Sequence, residues 1–363
     1  MTVEETTEQA AELGAEQEAS EQDLPVEKAS AQEPEQNPAQ KPSGAMQSET
    51  ESSGQEAPGS PYARYQPFDT PGYQPAWKDA TLVEANLVLE GGAMRGCFCA
   101  GVLDFLMDEG LLPKHAIGVS AGALNGFNYV AGMRGRTCHL NTKYCNDWRY
   151  FSMRSFFQTG NAFNIPFVFD KLINEIEPFD FDAYRASPLD LVAVSSNIEA
   201  GKADYTNLTE PVEQLPYLQA TSAVPLISRT VSIDDKLLLD GGICDSVPLE
   251  YSRRTGLKKH IVVLTQDAGY VKKPNQLMPL MYLRYFRHPK FIESVEQRHE
   301  NYNQTYRLVD ALHDAGEIFV IRPPEKVVVK NMERDASKLF ALYTQGYEEA
   351  QRNFAALQKY LEL

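Results

Sequence analysis

The sequence predicts a three-layer α/β domain, a mostly parallel central sheet with helices on both faces, preceded by a disordered acidic N-terminal tail. Three observations predict it. Short apolar runs alternate with amphipathic stretches from Leu82 to the C-terminus, the pattern of strand–helix–strand units. Three glycine-rich motifs fall at the ends of predicted strands, where sheets of this kind bind ligands. The first 60 residues, by contrast, hold no Phe, Trp or Tyr.

Charge divides the chain in the same place. Residues 1–78 carry 15 acidic and 4 basic residues, a net of −11 out of −16 for the whole sequence. Rich in Glu, Gln, Ala, Ser and Pro, this segment cannot bury enough apolar surface to offset its ordering entropy. The Pro and aromatic run from Tyr62 to Trp77 suits a linker lying on a folded surface. Residues 79–363 then form one domain with a C-terminal helical extension, large enough for a single extended core. A net of −5 over that part does not suggest an electrostatic grip on nucleic acid, which needs a basic stripe.

The first residues lack a basic segment followed by an apolar run, so no secretory signal is expected. No uninterrupted apolar run is long enough to span a bilayer as a helix. Cys97, Cys99, Cys138, Cys145 and Cys244 form an odd set without framework spacing. They read as reduced thiols of a cytoplasmic protein. The six histidines include no His-x-x-x-His pair and there is no Cys-x-x-Cys, so neither a metal nor another cofactor is expected.

Leu87–Glu90 reads as a buried strand ended by glycines, and Phe98–Glu109 as a helix closed by Gly110. Ala116–Val119 and Leu189–Ser195 are further strands, with a small-residue helix after the first. Ser228–Ile233 and Lys236–Asp240 form a hairpin about Asp234-Asp235. Strands follow at His260–Thr265 and Ile318–Ile321, and helices at Leu277–Phe286, Pro289–Ala315 and Met332–Leu361.

The first motif is Gly91-Gly92-Ala93-Met94-Arg95-Gly96, between strand and helix. Glycines there let the backbone turn sharply and aim several amides at one point ahead of a helix, a geometry suited to an anion. The second, Gly118-Val119-Ser120-Ala121-Gly122, is a Gly-x-Ser-x-Gly between strand and helix. That is the context of a nucleophile elbow, in which the flanking glycines remove Cβ atoms that would clash. The third is Asp240-Gly241-Gly242, ending the apolar run Leu237-Leu238-Leu239. A carboxylate there must be solvated or hydrogen-bonded.

In this order the motifs resemble the patatin-like phospholipase family. The resemblance runs from Leu87 to Pro248 and includes Ser222-Ala223-Val224-Pro225 and Val247-Pro248. Asp335–Gly346 is similar to a bacterial subgroup. The resemblance implies a patatin-like fold, with Ser120 as nucleophile and Asp240 as base. The amides of the Gly91–Gly96 loop would form the oxyanion hole, supported by Arg95. One position departs from the pattern: Ala93 stands where the family usually has Gly. The implied activity is hydrolysis of lipid esters through an acyl-enzyme, as in lipid degradation, with transient contact at a membrane surface. No partner for the tail is implied.

Three rival readings remain open on the sequence. A Ser120–Asp190–His260 triad would follow the α/β-hydrolase order, although His260 and His115 both stand at strand starts. The Gly91–Gly96 loop could instead hold a nucleotide, or the fold could bind lipid without turnover. Eight of the 17 Phe residues fall between Phe151 and Phe181, which fits an acyl-chain cleft or lid, or ordinary core packing.

Overall fold

The computed structural model describes residues 65–363, and the reading of the acidic tail lies outside them. In chain order the elements are β1 (Thr81–Leu89), α1 (Gly96–Asp108), β2 (Leu111–Val119), α2 (Ala121–Val130), α3 (Arg136–Tyr144) and α4 (Met153–Thr159). A π-helical segment, Phe167–Ile176, precedes α5 (Phe181–Ala186), β3 (Asp190–Asn197), β4 (Lys202–Asn207) and α6 (Leu215–Thr221). Next come β5 (Val231–Ile233), β6 (Lys236–Asp240), α7 (Leu249–Arg254) and β7 (His260–Val263). The chain ends with α8 (Met278–Tyr285), α9 (Pro289–Asp314), β8 (Phe319–Ile321) and α10 (Ala336–Leu361).

The eight strands form one sheet in the order β5-β6-β3-β2-β1-β7-β8, with β4 also paired to β3. The run from β3 through β2, β1 and β7 to β8 is parallel, while β4, β5 and β6 join antiparallel. The sheet is therefore mostly parallel, as expected. Alternate residues face opposite layers. Val88, Ile117, Val194, Val262 and Val320 share one core with Tyr302, Tyr306 and Val309 of α9. The opposite face carries Leu89 and Leu191, against which α2 lies so closely that a Cβ on Gly126 would stand 2.8 Å from Leu191. Helices on both faces complete three layers.

On that second face α10 lies across α1 at two glycines. A Cβ on Gly101 would come 2.0 Å from the Tyr343 carbonyl oxygen, and one on Gly346 2.0 Å from that of Phe98. The Tyr343 hydroxyl donates to Asp104 at 2.9 Å, which also accepts from the Gly135 amide at 3.0 Å. Burial pushes the Asp104 carboxyl up to about 6. The linker packs here as well: Ala76 N–H donates to the Gly132 carbonyl at 3.0 Å, and Tyr65 stacks on His139 with centroids 4.5 Å apart.

β2 begins five residues earlier than the sequence suggests, running through Pro113. A proline is tolerated there because β3 pairs with β2 only from His115 onward, which leaves Pro113 on an open edge. β4 was not anticipated, since Lys202–Asn207 has neither an apolar run nor a buried face.

Candidate active site

The carboxyl end of β1 leads into the glycine-rich loop through Glu90, a buried carboxylate. Such a group must be fully hydrogen-bonded. It accepts from the Thr265 amide at 2.6 Å and hydroxyl at 3.0 Å, from Tyr302 at 2.5 Å and from Tyr306 at 2.8 Å. The foot of the loop is thereby fixed to β7 and α9. Gly91 passes against the next strand end, where an added Cβ would lie 3.1 Å from Ser120 Cβ. At Gly92 it would strike Thr265 Oγ1 at 2.7 Å. Ala93, Met94 and Arg95 form a 3-10 turn into α1, and Asn125 Nδ2 donates to the Gly96 carbonyl at 2.9 Å. Among the described residues, the amides of Gly92 and Ala93 have no acceptor. Ala93 adopts φ 49°, the left-handed region, which costs a residue with a Cβ about 1–2 kcal/mol. A glycine would hold this position without that strain.

Ser120 ends β2 with φ 52° and ψ −121°, a strained junction between strand and α2. The surrounding glycines are steric requirements. A Cβ on Gly118 would stand 2.6 Å from Ala123 Cα and N, and one on Gly122 2.3 Å from the Leu89 carbonyl oxygen. The turn is held in place by Thr221, on α6. Its Oγ1 accepts from Ser120 N–H at 2.8 Å and donates to the Val194 carbonyl at 2.5 Å.

Asp240 reaches the same point from the opposite direction. β6 pairs antiparallel with residues 195–197 of β3 while β4 covers the other edge of those residues. β6 therefore continues the edge occupied by β2, and the two strands meet end to end. Gly241, next to the junction, has no room for a Cβ, which would lie 2.1 Å from the Val194 carbonyl oxygen. Asp240 Oδ1 accepts from Gly242 N–H at 2.8 Å. Arg298 Nε, from α9, donates to the Gly242 carbonyl at 2.5 Å.

Burial pushes the Asp240 carboxyl above the usual carboxylate range. The Gly242 amide, the nearby Ser120 hydroxyl and the Arg298 and Lys272 side chains oppose that rise. The result is a carboxylate of more than ordinary basicity in contact with a hydroxyl.

From Ser120 a narrow cavity of about 110 Å³ runs between α2, α3 and the segment after α4. Phe151, Phe163, Phe169, Leu172 and Ile173 line it. Of the Phe-rich stretch, then, three rings face the cavity. Others serve packing: Phe179 stacks on Phe127 at 4.2 Å, and Arg149 lies 4.2 Å over Phe167.

Residues 87–252, which hold all three motifs, match the family model described as patatin-like phospholipase. This chain carries a patatin-like phospholipase domain. The match implies ester hydrolase activity and supports a general role as a lipid acyl hydrolase. Residues 288–362 match a domain of unknown function, DUF6363. The uncharacterized protein YjjU of Escherichia coli K12 is 25% identical over 254 residues, covering 66% of this chain and 68% of YjjU. Lysophospholipase NTE1 of Cryptococcus neoformans is 26% identical over 227 residues, which span 58% of this chain but 13% of NTE1. The crystal structure of VipD from Legionella pneumophila aligns with a TM-score of 0.36 at 13% identity, over 77% of this chain and 68% of that one. That likeness is too slight to bear on the fold.

Several residues that support the candidate site carry no motif of their own. Thr221, Glu90, Tyr302, Tyr306 and Arg298 act through contacts 27 to 216 residues apart in sequence, which periodicity does not register. Glu90 alone offered a signal, a carboxylate closing an apolar strand just as Asp240 does. The histidines of the rival triad are elsewhere. Asp190, His115, Asn86 and His260 are in register across four neighbouring strands. His115 is five residues before Ser120, about 16 Å along the strand. His115 Nδ1 bonds Asp190 at 2.7 Å, and His260 Nδ1 bonds the Ser252 hydroxyl at 2.8 Å. Among the described residues no group of His, Cys, Asp and Glu could hold a metal, and no helix is long and apolar enough to cross a membrane.

Proposed function

We propose that this domain hydrolyses carboxylic ester bonds of lipids through a Ser120–Asp240 dyad. The observation that carries the reading is the end-to-end meeting of β2 and β6, which joins the Ser120 hydroxyl to a buried carboxylate. Asp240 takes the hydroxyl proton as Ser120 Oγ attacks the ester carbonyl. The amides of Gly92 and Ala93, otherwise without acceptors, receive the oxyanion. Each such preorganised donor is worth about 2.7–4 kcal/mol in related chemistry. The alkoxide of the leaving group takes the proton from Asp240 and departs as an alcohol, leaving an acyl ester on Ser120. Water then gives its proton to Asp240 and its hydroxide to the acyl carbon; the Ser120 alkoxide leaves and takes that proton from Asp240, which frees the fatty acid and restores both residues.

The apolar cavity fits an acyl chain, and residues 79–363 would act as one catalytic unit with the C-terminal helices as its support. The five cysteines form no disulfide among the described residues, which favours a reducing compartment such as the cytoplasm, where the reaction would serve lipid degradation. The test is incubation of wild type and Ser120→Ala with a total lipid extract, followed by product analysis. Wild type should release free fatty acid and Ser120→Ala should not. Equal release by both would remove Ser120 from the mechanism.

A further inference from the structure

One surface of the domain lies mostly between the two matched segments. From Lys273 to Ile292 the chain holds Lys273, Arg284, Arg287 and Lys290 and no acidic residue, in a protein whose net charge is −16. Within this stretch α8 buries Met281 and Tyr285 and turns its other side outward. There Leu283 is 73% exposed, Phe286 66% and Tyr282 48%. Contiguous exposed apolar side chains of this size mark a contact surface rather than ordinary surface. Arg284, Arg287 and Lys290 have no carboxylate partner among the described residues, and Arg287 lies 5.3 Å over the exposed Phe286 ring. The nearby Glu296 is occupied by the Tyr282 hydroxyl.

The same helix shares a core cluster with residues that wall a groove beside the candidate site. Its buried side packs on Ala223, Leu226 and Val231, and the Tyr285 hydroxyl accepts from Leu226 N–H at 3.5 Å. Ala223 and Val231 line an open groove of about 320 Å³, which shares Phe163 and Ser222 with the cavity at Ser120. Ser222 follows Thr221, whose hydroxyl holds the Ser120 amide. Across the groove, Asn161 Oδ1 accepts from Arg229 N–H at 2.8 Å, and the helix before it, α4, exposes Phe157.

We propose that α8 and the turn after it form a docking face for an anionic lipid bilayer, with Leu283 and Phe286 entering the head-group layer and Arg284, Arg287 and Lys290 meeting its charge. The inference rests on the lipid-ester reading for its purpose, but binding is read without turnover. Each basic residue near an anionic leaflet contributes about 1 kcal/mol, and apolar side chains add the burial that anchors an interfacial helix. A docked α8 brings the groove, and through it Ser120, against the source of lipid.

The experiment is co-sedimentation of the full chain with phosphatidylcholine vesicles, with and without phosphatidylglycerol. Hydrolysis of a short soluble p-nitrophenyl ester is followed in parallel. Wild type should bind the anionic vesicles, less so as salt rises. Leu283→Glu/Phe286→Glu and Arg284→Glu/Arg287→Glu should each lose at least about tenfold in partitioning. Turnover of the soluble ester should stay within about twofold of wild type, as for exposed positions in general. Wild-type partitioning in both variants, or equal binding to neutral and anionic vesicles, overturns the proposal. So does a wild-type dimer that the apolar variant makes monomeric without loss of vesicle binding, which would assign the face to a second copy. Absence of soluble-ester hydrolysis in wild type would count against the hydrolase reading and leave the vesicle result to decide the docking face.

Discussion

Asp240 and Val119 occupy consecutive positions on one edge of β3, Val119 opposite Val194 and Asp240 opposite Ser195. Because β2 and β6 approach this junction from opposite directions, the residue after Val119 and the last residue of β6 face each other. Sheet register therefore sets the separation of hydroxyl and carboxylate, rather than a mobile loop. A site built this way is preorganised, and its accuracy depends on whatever fixes the two strand ends.

Thr221 is the most direct of those fixings. Thr221→Val keeps the shape but leaves Ser120 N–H without an acceptor and Val194 without a donor. A stability loss of about 1–3 kcal/mol is expected in chemical denaturation. Turnover should fall by about ten- to a hundredfold as the nucleophile loses its position. Thr221→Ser, which retains the hydroxyl, should recover most of both.

Arg298 should set the pH range of the reaction. The groups facing Asp240 are the Ser120 hydroxyl, the Gly242 amide, Arg298 on α9 and Lys272 after β7, with Glu90 and Arg95 acting on Lys272. The proposed mechanism needs the ionised carboxylate, and the Arg298 charge works against the rise that burial causes. Arg298→Gln should move the acid limb of kcat/KM upward, since loss of an opposite charge raises a carboxylate's pKa. Arg298→Lys should leave the limb near its wild-type place. A loss of activity in Arg298→Gln with no movement of the limb would mean that Arg298 only supports the turn.

The same burial has a consequence for stability. The folded-state pKa of Asp240 lies above its unfolded value of about 3.9. Its contribution therefore favours folding below that value and is lost as pH rises through the folded pKa. Asp240→Asn should be nearly inactive yet melt higher than wild type at neutral pH, with the difference closing below about pH 4. Melting curves across that range check the sign.

At the crossing of α1 and α10, Gly346→Ala should destabilise by about 1–3 kcal/mol or more, because the new methyl meets backbone rather than a movable side chain. Since α1 carries the glycine-rich loop at its N-terminus, turnover should fall in step with the loosening of this contact. Comparison of unfolding midpoint and kcat in one variant measures the link.

The three motifs and the parallel core were legible because each requirement is local. Ser120 needs its flanking glycines, Asp240 needs Gly241 and Gly242, and buried parallel strands are apolar runs. β4 was illegible because Lys202–Asn207 owes its strand conformation to pairing with β3. Arg298 and Thr221 were illegible for a related reason. Their roles come from where α9 and α6 dock, and an exposed or capping residue would present the same letter in sequence. The Phe-rich segment held both a cavity wall and core packing, which composition alone does not separate.

The convergence of Ser120 and Asp240 is tested most directly by trapping the acyl-enzyme. The protein is mixed with an activated fatty-acyl ester, quenched in acid and mapped by peptide mass spectrometry. The account predicts one acyl group on the peptide containing Ser120, lost in Ser120→Ala and formed far more slowly in Asp240→Asn. Acylation at another residue, or undiminished ester hydrolysis by Ser120→Ala, would contradict it.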